Sequence, residues 1–456
     1  MGRMNGLNKI LDSAAQVLLL LYTAECVFGS SGRWLEIGPL SIRMVLFILA
    51  FMTSLPAVVR NFREIIRNGQ VACIACLGLW LLVCTAIGWR EGHDRGFIWA
   101  DISSLLPLAL VPGFMSVMRS KKAISRLIDT VFWTAAALAG VTVALHFLCA
   151  ALSTETLNGI YQWVKAANLG RMDVLKTGIL RLYMRSQIYF QVAIVFGVWK
   201  IGSAGKEGRG ILYFAEGLLL CGCILSYTRG FWLGLAVSAV LLLLLGTRYW
   251  KVYFRTALRM LAVFALFTAL SSAVYHGPAV VIEVVNRLNP NLIVLSAPQE
   301  QSPEETDSND PENDTLLYRD QRAVWLREES LRLHRDRIRE HPLVGSGLGE
   351  NLDEVRSDGR TEYMYLDMTM KTGLIGLVLL LLAFFGFVPK QLCHLIRSGR
   401  RDLAAGNWTG YTLRNCMLTA AYLGVAVTSI FNPFLMNPLG ITLMSIVSTA
   451  VYSEEM

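Results

Sequence analysis

Charged side chains are scarce in this chain. They make up 17% of 456 residues, against about 25% in an ordinary soluble domain. A Walker loop, a dinucleotide glycine fingerprint and repeats of the soluble-domain kind are also missing, so nothing points to nucleotide chemistry. Cys73-x-x-Cys76 has no second pair and no nearby histidine, which favours buried thiols over a metal or redox centre. Of the nine cysteines, all but Cys393 sit in or beside apolar runs. No cleavable signal peptide is evident: Arg3 and Lys9 precede an apolar run at 11–28 that fits a first membrane helix better.

What the chain has in abundance is apolar sequence. Hydrophobic residues are 54% of the total and the mean hydropathy is +0.47. They cluster in runs of about 20 residues, the length that crosses a hydrocarbon core about 30 Å thick. The expected fold is therefore an all-α polytopic membrane protein of about 12 transmembrane helices. The expected spans are 11–28, 40–58, 70–88, 98–118, 127–151, 187–203, 210–227, 230–247, 259–276, 366–388, 412–431 and 437–452.

Orientation follows from the basic residues, since short cytoplasmic loops are enriched in Arg and Lys. The connections on the N-terminal side of the membrane carry 21 of them, and the opposite short connections nine. Both termini are thus expected in the cytoplasm. The net charge of +8 reads as part of this topology signal and implies no nucleic-acid partner. Three regions result: 1–276 with helices 1–9, a large extracytoplasmic loop at 277–365, and 366–456 with helices 10–12.

Two external segments stand out, 152–186 and 277–365. From 277 to 364 there are ten arginines and eighteen acidic residues, a local charge of −8. Its stretch PQEQSPEETDSNDPEND, 298–314, is too polar to pack a core. A helix should follow, with Leu317, Val324, Leu331 and Ile338 as a narrow apolar stripe. Pro342 and the glycines of HPLVGSGLG then stop it. Gly345, Gly347 and Gly349 read as a turn.

Few residues are placed to carry chemistry. Arg229, in SYTRGFWLGL, falls between two abutting spans. Charge near hydrocarbon is costly, so an arginine kept there calls for a partner or ligand; the plainer alternative is snorkelling to the interface. Arg181 and Arg185 lie in TGILRLYMRSQIYFQ. A spacing of four would put both on one helical face, where two guanidinium forks suit a diphosphate and Lys176 would add positive field. The alternative is a basic collar for lipid headgroups. Glu362, where the large loop enters span ten, can act as a general base if burial raises its pKa, although a solvated loop acid is the commoner fate. His341 and His334 are external candidates for acid/base work, and Trp325 reads as packing.

Three stretches, in order, resemble the O-antigen ligase/polymerase superfamily of integral-membrane glycosyltransferases. They are LRLYMRSQIYFQ, SYTRGFWLGL, and the large loop with HPLVGSGLG followed by EYMYLDMTMKTGLIG. The likeness covers roughly 180–380. It implies transfer of a polyprenyl-diphosphate-linked glycan to a saccharide hydroxyl on the outer face of the inner (plasma) membrane. It further implies diphosphate-binding arginines, here Arg181, Arg185 and Arg229, and no metal or other cofactor. Partners would be the lipid-linked donor, an acceptor that is a lipid-linked glycan or lipid A-core, membrane lipid, and other polysaccharide-assembly proteins. The ligase branch carries His followed by Asn, Ser or Gln, then nine residues and Gly; counted back from Gly373, this chain has Glu362-Tyr363 instead. That departure leans the reading toward a polymerase, with Glu362 or His341 as base. A ligase, a lipid-linked oligosaccharide flippase or transporter, and a silent assembly scaffold are the alternatives.

The charge count generates a test of topology. A single cysteine placed near Ser308 in a cysteine-free background should react with an impermeant thiol reagent while the inner membrane is intact. Reaction only after lysis of that membrane would overturn the orientation.

Overall fold

The structure is a computed structural model that describes residues 2–30, 32, 35–37, 40–166, 169–175, 177–205, 207–246, 250–288, 319–352, 363–405 and 410–455. At 2–7, 37, 154, 174, 319–326, 398–405, 410–411 and 454–455 the description is of backbone alone. The acidic stretch 298–314, Leu317, Lys176 and Glu362 lie outside the described residues, as do the side chains of Val324 and Trp325.

All twelve apolar runs are helical. In chain order the helices are α1 (Gly2–Phe28), α2 (Ile42–Arg60), α3 (Phe62–Ile66), α4 (Gly69–Arg90), α5 (Arg95–Leu105), α6 (Val111–Val117), α7 (Lys121–Ala151), α8 (Thr154–Ala166) and α9 (Ile188–Ser203). There follow α10 (Arg209–Leu225), α11 (Arg229–Leu245), α12 (Trp250–Val274), α13 (Ala279–Leu288), α14 (Arg319–Glu340), α15 (Met364–Phe385), α16 (Val388–Ala405), α17 (Gly410–Thr428) and α18 (Pro438–Glu455). Polar caps start several of them: Asn68 Oδ1 accepts from Gln70 N at 2.9 Å, and Asp94 Oδ1 from Gly96 N at 2.7 Å. Two short antiparallel hairpins are added to the expected all-α fold, β1 (Glu36–Ile37) with β2 (Leu40–Ser41), and β3 (Arg171–Val174) with β4 (Leu180–Tyr183).

Among the described residues, seven stretches are long and apolar enough to cross a membrane by length and composition: Asn8–Phe28, Ile42–Arg60, Gly69–Arg90, Arg95–Val117, Lys121–Ala151, Trp250–Val274 and Met364–Arg397. Others of the twelve are shorter. Helix α9 has 16 residues and α10 and α11 have 17 each, about 24–26 Å at 1.5 Å per residue. Of these, α9 buries every residue from Ile188 to Val198, so protein rather than solvent or lipid surrounds that stretch.

Small residues set a close helix pair. A Cβ on Gly234 of α11 would lie 2.7 Å from Gly424 O of α17, and one on Gly424 would lie 2.5 Å from Gly234 O. With both positions bare the backbones approach closely, as in membrane helix pairs generally, and Ser238 Oγ donates across the seam to Ala420 O at 3.0 Å. Thr428 adds a third helix. Gln191 Nε2 of α9 donates to Thr428 Oγ1 at 3.2 Å, and that hydroxyl donates to Gly230 O at 2.9 Å. The first turn of α11 is thereby fixed to two neighbours.

The glycine loop after α14 does more than turn. Gly373 interrupts α15 with φ +67° and ψ −174°, which frees carbonyls on one side of the break and amides on the other. Each unpaired group would be costly in apolar surroundings. The loop pairs them. Ser346 N and Oγ donate to Met370 O at 2.9 and 3.1 Å, and Gly347 N donates to Lys371 O at 3.0 Å. Trp80 Nε1 of α4 donates to Thr372 O at 3.0 Å. Beyond the break, Leu374 N and Ile375 N donate to Pro342 O and Leu343 O at 2.9 and 3.2 Å.

The helix before the loop departs from the expected stripe. Leu331 is exposed, and among the described side chains of α14 those that bury are Ser330 and His334. The face is rotated because α14 packs on the polar start of α15, where Asp367 and Lys371 lie, and a polar neighbour selects polar partners.

Gly347 has φ +98°, and a Cβ there would sit 2.4 Å from Gly88 N; one on Gly88 would sit 2.1 Å from Leu348 O. Gly347→Ala and Gly88→Ala should each lower stability, Gly347→Ala by about 1–3 kcal/mol from backbone conformation alone. Thermal unfolding of the detergent-solubilised variants measures this. Unchanged midpoints would mean that the loop does not need this backbone-to-backbone contact.

Candidate functional site

The turn between α10 and α11 is Ser226-Tyr227-Thr228. Tyr227 adopts φ +47°, a left-handed conformation that bulky residues rarely accept, and local bonds hold it there. Ser226 Oγ donates to Cys223 O at 2.7 Å, Thr228 N donates to Ser226 Oγ at 3.3 Å, and Trp232 Nε1 donates to Cys223 O at 3.2 Å. Arg229 is the first residue of α11, where the helix dipole adds positive potential. It is exposed, and its guanidinium makes no hydrogen bond or ion pair among the described residues.

Arg181 arrives at the same turn from the hairpin. Its Nε donates to Ser226 O at 2.8 Å and its Nη2 to Thr228 Oγ1 at 3.2 Å, while Nη1 lies 3.7 Å from Asp173 Oδ2. Burial, then the nearby positive charge of Arg287, lowers its pKa, and Asp173 opposes this. Arg181 is thus mostly committed to bracing the turn that presents Arg229. Arg185 is placed differently: its backbone N donates to Ser30 Oγ at 3.2 Å, at the end of α1. The expected single helical face of Arg181 and Arg185 is not formed. Arg181 lies in β4 and Arg185 in a 3₁₀ turn, because residues 171–174 pair with 180–183 and the chain bends at Met184 before α9 starts.

Arg287 of α13 escaped the sequence reading. It is half-buried and lies close enough to Arg181 to act on its charge. On the same helix Glu283 accepts from Thr177 N and Oγ1 at 2.9 and 3.0 Å, which docks α13 against the end of the hairpin. Arg43 and Glu25 also escaped it. They form a buried ion pair between α2 and α1, and Arg43 Nη2 donates to Ser30 O at 3.0 Å. Ser30 in turn donates to Leu169 O at 2.5 Å, tying the 152–186 segment to the bundle.

The second group of functional character lies at the break in α15. Lys371 Nζ sits 2.9 Å from Asp101 Oδ1 of α5 and 3.2 Å from Asp367 Oδ2, and Asp101 Oδ2 accepts from Gly349 N at 2.9 Å. The available sequence signal was a lysine and an aspartate inside apolar runs; the spacing of 270 positions concealed their pairing. Outside this cluster His93 links Leu348 O at 3.0 Å and Glu350 Oε2 at 2.9 Å, with Arg337 Nε 3.5 Å from the same carboxylate. His341 is exposed in the turn after α14, its carbonyl accepting from Gly345 N at 3.0 Å. His334 is fully buried.

The architecture is that of a multi-pass membrane protein, with an open arginine at one helix start and a loop sewn into a broken helix. Residues 214–381 match the model of a family described as O-antigen ligase. The match supports the resemblance to the O-antigen ligase/polymerase superfamily, and with it an enzyme of the membrane glycosyltransferase/ligase type. It starts within α10 and ends within α15, so it includes Arg229 and the loop but not Arg181 or Arg185. None of the curated proteins matches the chain.

The two arginines should separate by stability. Arg181→Ala removes the guanidinium donors from Ser226 O and Thr228 Oγ1, leaving that carbonyl with the Thr228 hydroxyl alone, and should lower stability by about 1–3 kcal/mol, whereas Arg229→Ala should stay within about 0.5 kcal/mol of the parent. Denaturation of both in the same detergent decides it, and equal losses would contradict this division.

Proposed function

We propose that the protein is an outward-facing glycosyltransferase of surface-polysaccharide assembly, and that it is an O-antigen or exopolysaccharide polymerase. The donor is a glycan on a polyprenyl diphosphate held in the bilayer, and the acceptor is a saccharide hydroxyl. The reaction takes place outside the inner (plasma) membrane, on twelve spans with both termini cytoplasmic and 277–365 external. The observation that carries this reading is Arg229: an exposed guanidinium, unpartnered among the described residues, on a braced turn inside the family-matched segment. A planar fork at a helix start suits a departing diphosphate, with Arg181 holding the turn and Arg185 adding charge from the 3₁₀ turn before α9. Glu362-Tyr363 in place of the ligase pair favours the polymerase. The description of the matched family favours the ligase as the second reading.

In either reaction the acceptor oxygen bonds to the anomeric carbon as the bond to the diphosphate breaks. The hydroxyl proton must go to a base. Glu362 and His341 are the bases named from sequence.

Arg229→Ala should abolish product at normal protein level, and Arg229→Lys should restore little, since one ammonium cannot make a two-point contact. Size analysis of surface glycan and of the lipid-linked pool reads the outcome. Single repeat units accumulate if the protein is a polymerase, and long lipid-linked polymer if it is a ligase. A lipid-linked pool confined to the inner leaflet would make it a flippase. Full activity in Arg229→Ala removes that residue from the site and takes away the observation on which the reading rests.

A further inference from the structure

Ser30, in the turn after α1, has φ +49°, a left-handed conformation that a serine adopts at a cost. It is buried, and its oxygens reach three separate parts of the chain. Its carbonyl accepts from Arg43 Nη2 of α2 at 3.0 Å. Its hydroxyl donates to Leu169 O at 2.5 Å, and the same oxygen accepts from Arg185 N at 3.2 Å. Arg185 opens the 3₁₀ turn that leads into α9. The first amides of a helical segment find no acceptor within it, and here the acceptor comes from 155 positions away.

What holds Ser30 in this conformation is costly too. Arg43 Nε pairs with Glu25 Oε2, and both side chains are buried. Such a pair gives up hydration that its attraction scarcely offsets, and Glu25 Oε1 is buried with no hydrogen-bond partner. The turn is wrapped closely round the pair. A Cβ on Gly29 would run into the Glu25 carboxylate, and one on Gly32 would lie 2.7 Å from Arg43 Cζ. Helices α1 and α2 already pack on each other through apolar side chains such as Leu19, Tyr22 and Ala50. Joining them needs neither a strained serine nor a buried charge pair, whereas fixing the backbone of Arg185 uses both.

We propose that Ser30, held by the Arg43–Glu25 pair, is a positioning residue of the diphosphate site: it fixes the backbone from which Arg185 reaches the leaving group. This rests on the glycosyltransferase reading above, in which Arg185 adds charge for the diphosphate. The first two spans lie outside the family-matched segment. Through Ser30 they contribute to donor binding without touching the donor. Arg181 braces the turn that carries Arg229, and Ser30 braces the turn that carries Arg185. An arginine on an anchored backbone loses less freedom when it grips an anion.

The test is a double-mutant cycle on the full-length protein in lipid nanodiscs, read by equilibrium binding of polyprenyl diphosphate. Ser30→Gly deletes the hydroxyl and takes the left-handed backbone without strain. Arg43→Lys keeps a charge facing Glu25 and loses the second arm that reaches Ser30 O. Each should weaken binding about 3–30-fold. Arg185→Ala should weaken it about 10–100-fold, leaving Arg229 to hold the ligand at a measurable level. In the Arg185→Ala background neither Ser30→Gly nor Arg43→Lys should weaken it further, because the side chain whose place they set is gone. A merely stabilising role gives the same fold-loss in both backgrounds; that result, or parent affinity in both variants, overturns the proposal. Should one variant fail to fold, the other carries the cycle. Arg229→Ala is run beside them. If it binds weakly while Arg185→Ala matches the parent, the role of Ser30 alone fails; if neither arginine variant is weaker than the parent, the diphosphate site and the glycosyltransferase reading fall together.

Discussion

A helix interrupted in apolar surroundings cannot leave its backbone groups unpaired, and this constraint organises the packing of α4, α14 and α15. Gly373 breaks α15, and the carbonyls of Met370, Lys371 and Thr372 are taken up by Ser346, Gly347 and Trp80. The alternative, water in the break, would hydrate Lys371 and the carboxylates beside it. Filling the break with chain keeps Lys371 buried and paired. It also fixes the end of α14, since the paired residues begin at Pro342, two positions after that helix stops.

The arginine turn is built on a different economy. Its strain at Tyr227 is offset by local hydrogen bonds and by a buried aromatic ring against Leu175, Ile179 and Phe267. Arg181 spends its donors on the turn rather than on a ligand, and Thr428 holds Gly230 from the other side. Between these two anchors the Arg229 guanidinium makes no hydrogen bond or ion pair among the described residues. A guanidinium whose backbone is immobilised on both sides loses less entropy on gripping an anion than one on a loose loop.

How much of this was legible depends on range. The apolar runs appear as helices because a 3.6-residue helix satisfies its backbone within the segment itself, and Arg229 stood out because a charge in such a run is conspicuous. The hairpin at 171–183 was missed because arginines four apart suggest a helix, while its strands are fixed by pairing between Arg171–Val174 and Leu180–Tyr183. The face of α14 was missed because the heptad of Leu331 and Ile338 assumes an apolar neighbour. Its neighbour is Asp367 and Lys371, which the sequence separates from it by a stretch of loop. Nor does any local pattern tie Lys371 to Asp101 or Arg181 to Ser226. Such pairs come from tertiary packing, and only the cost of an unpaired charge hinted that partners existed.

These two constraints meet at α15. The broken helix needs the loop, the loop ends α14, and the end of α14 places His334 on the polar start of α15. An apolar residue at 334 would fill the space but would leave Asp367 Oδ1 with an oily neighbour. A neutral imidazole sits there uncharged, its Nδ1 proton given to Ser330 O. The polar face of α14 is therefore set by the polar start of α15 on which it packs, while Leu331 stays exposed.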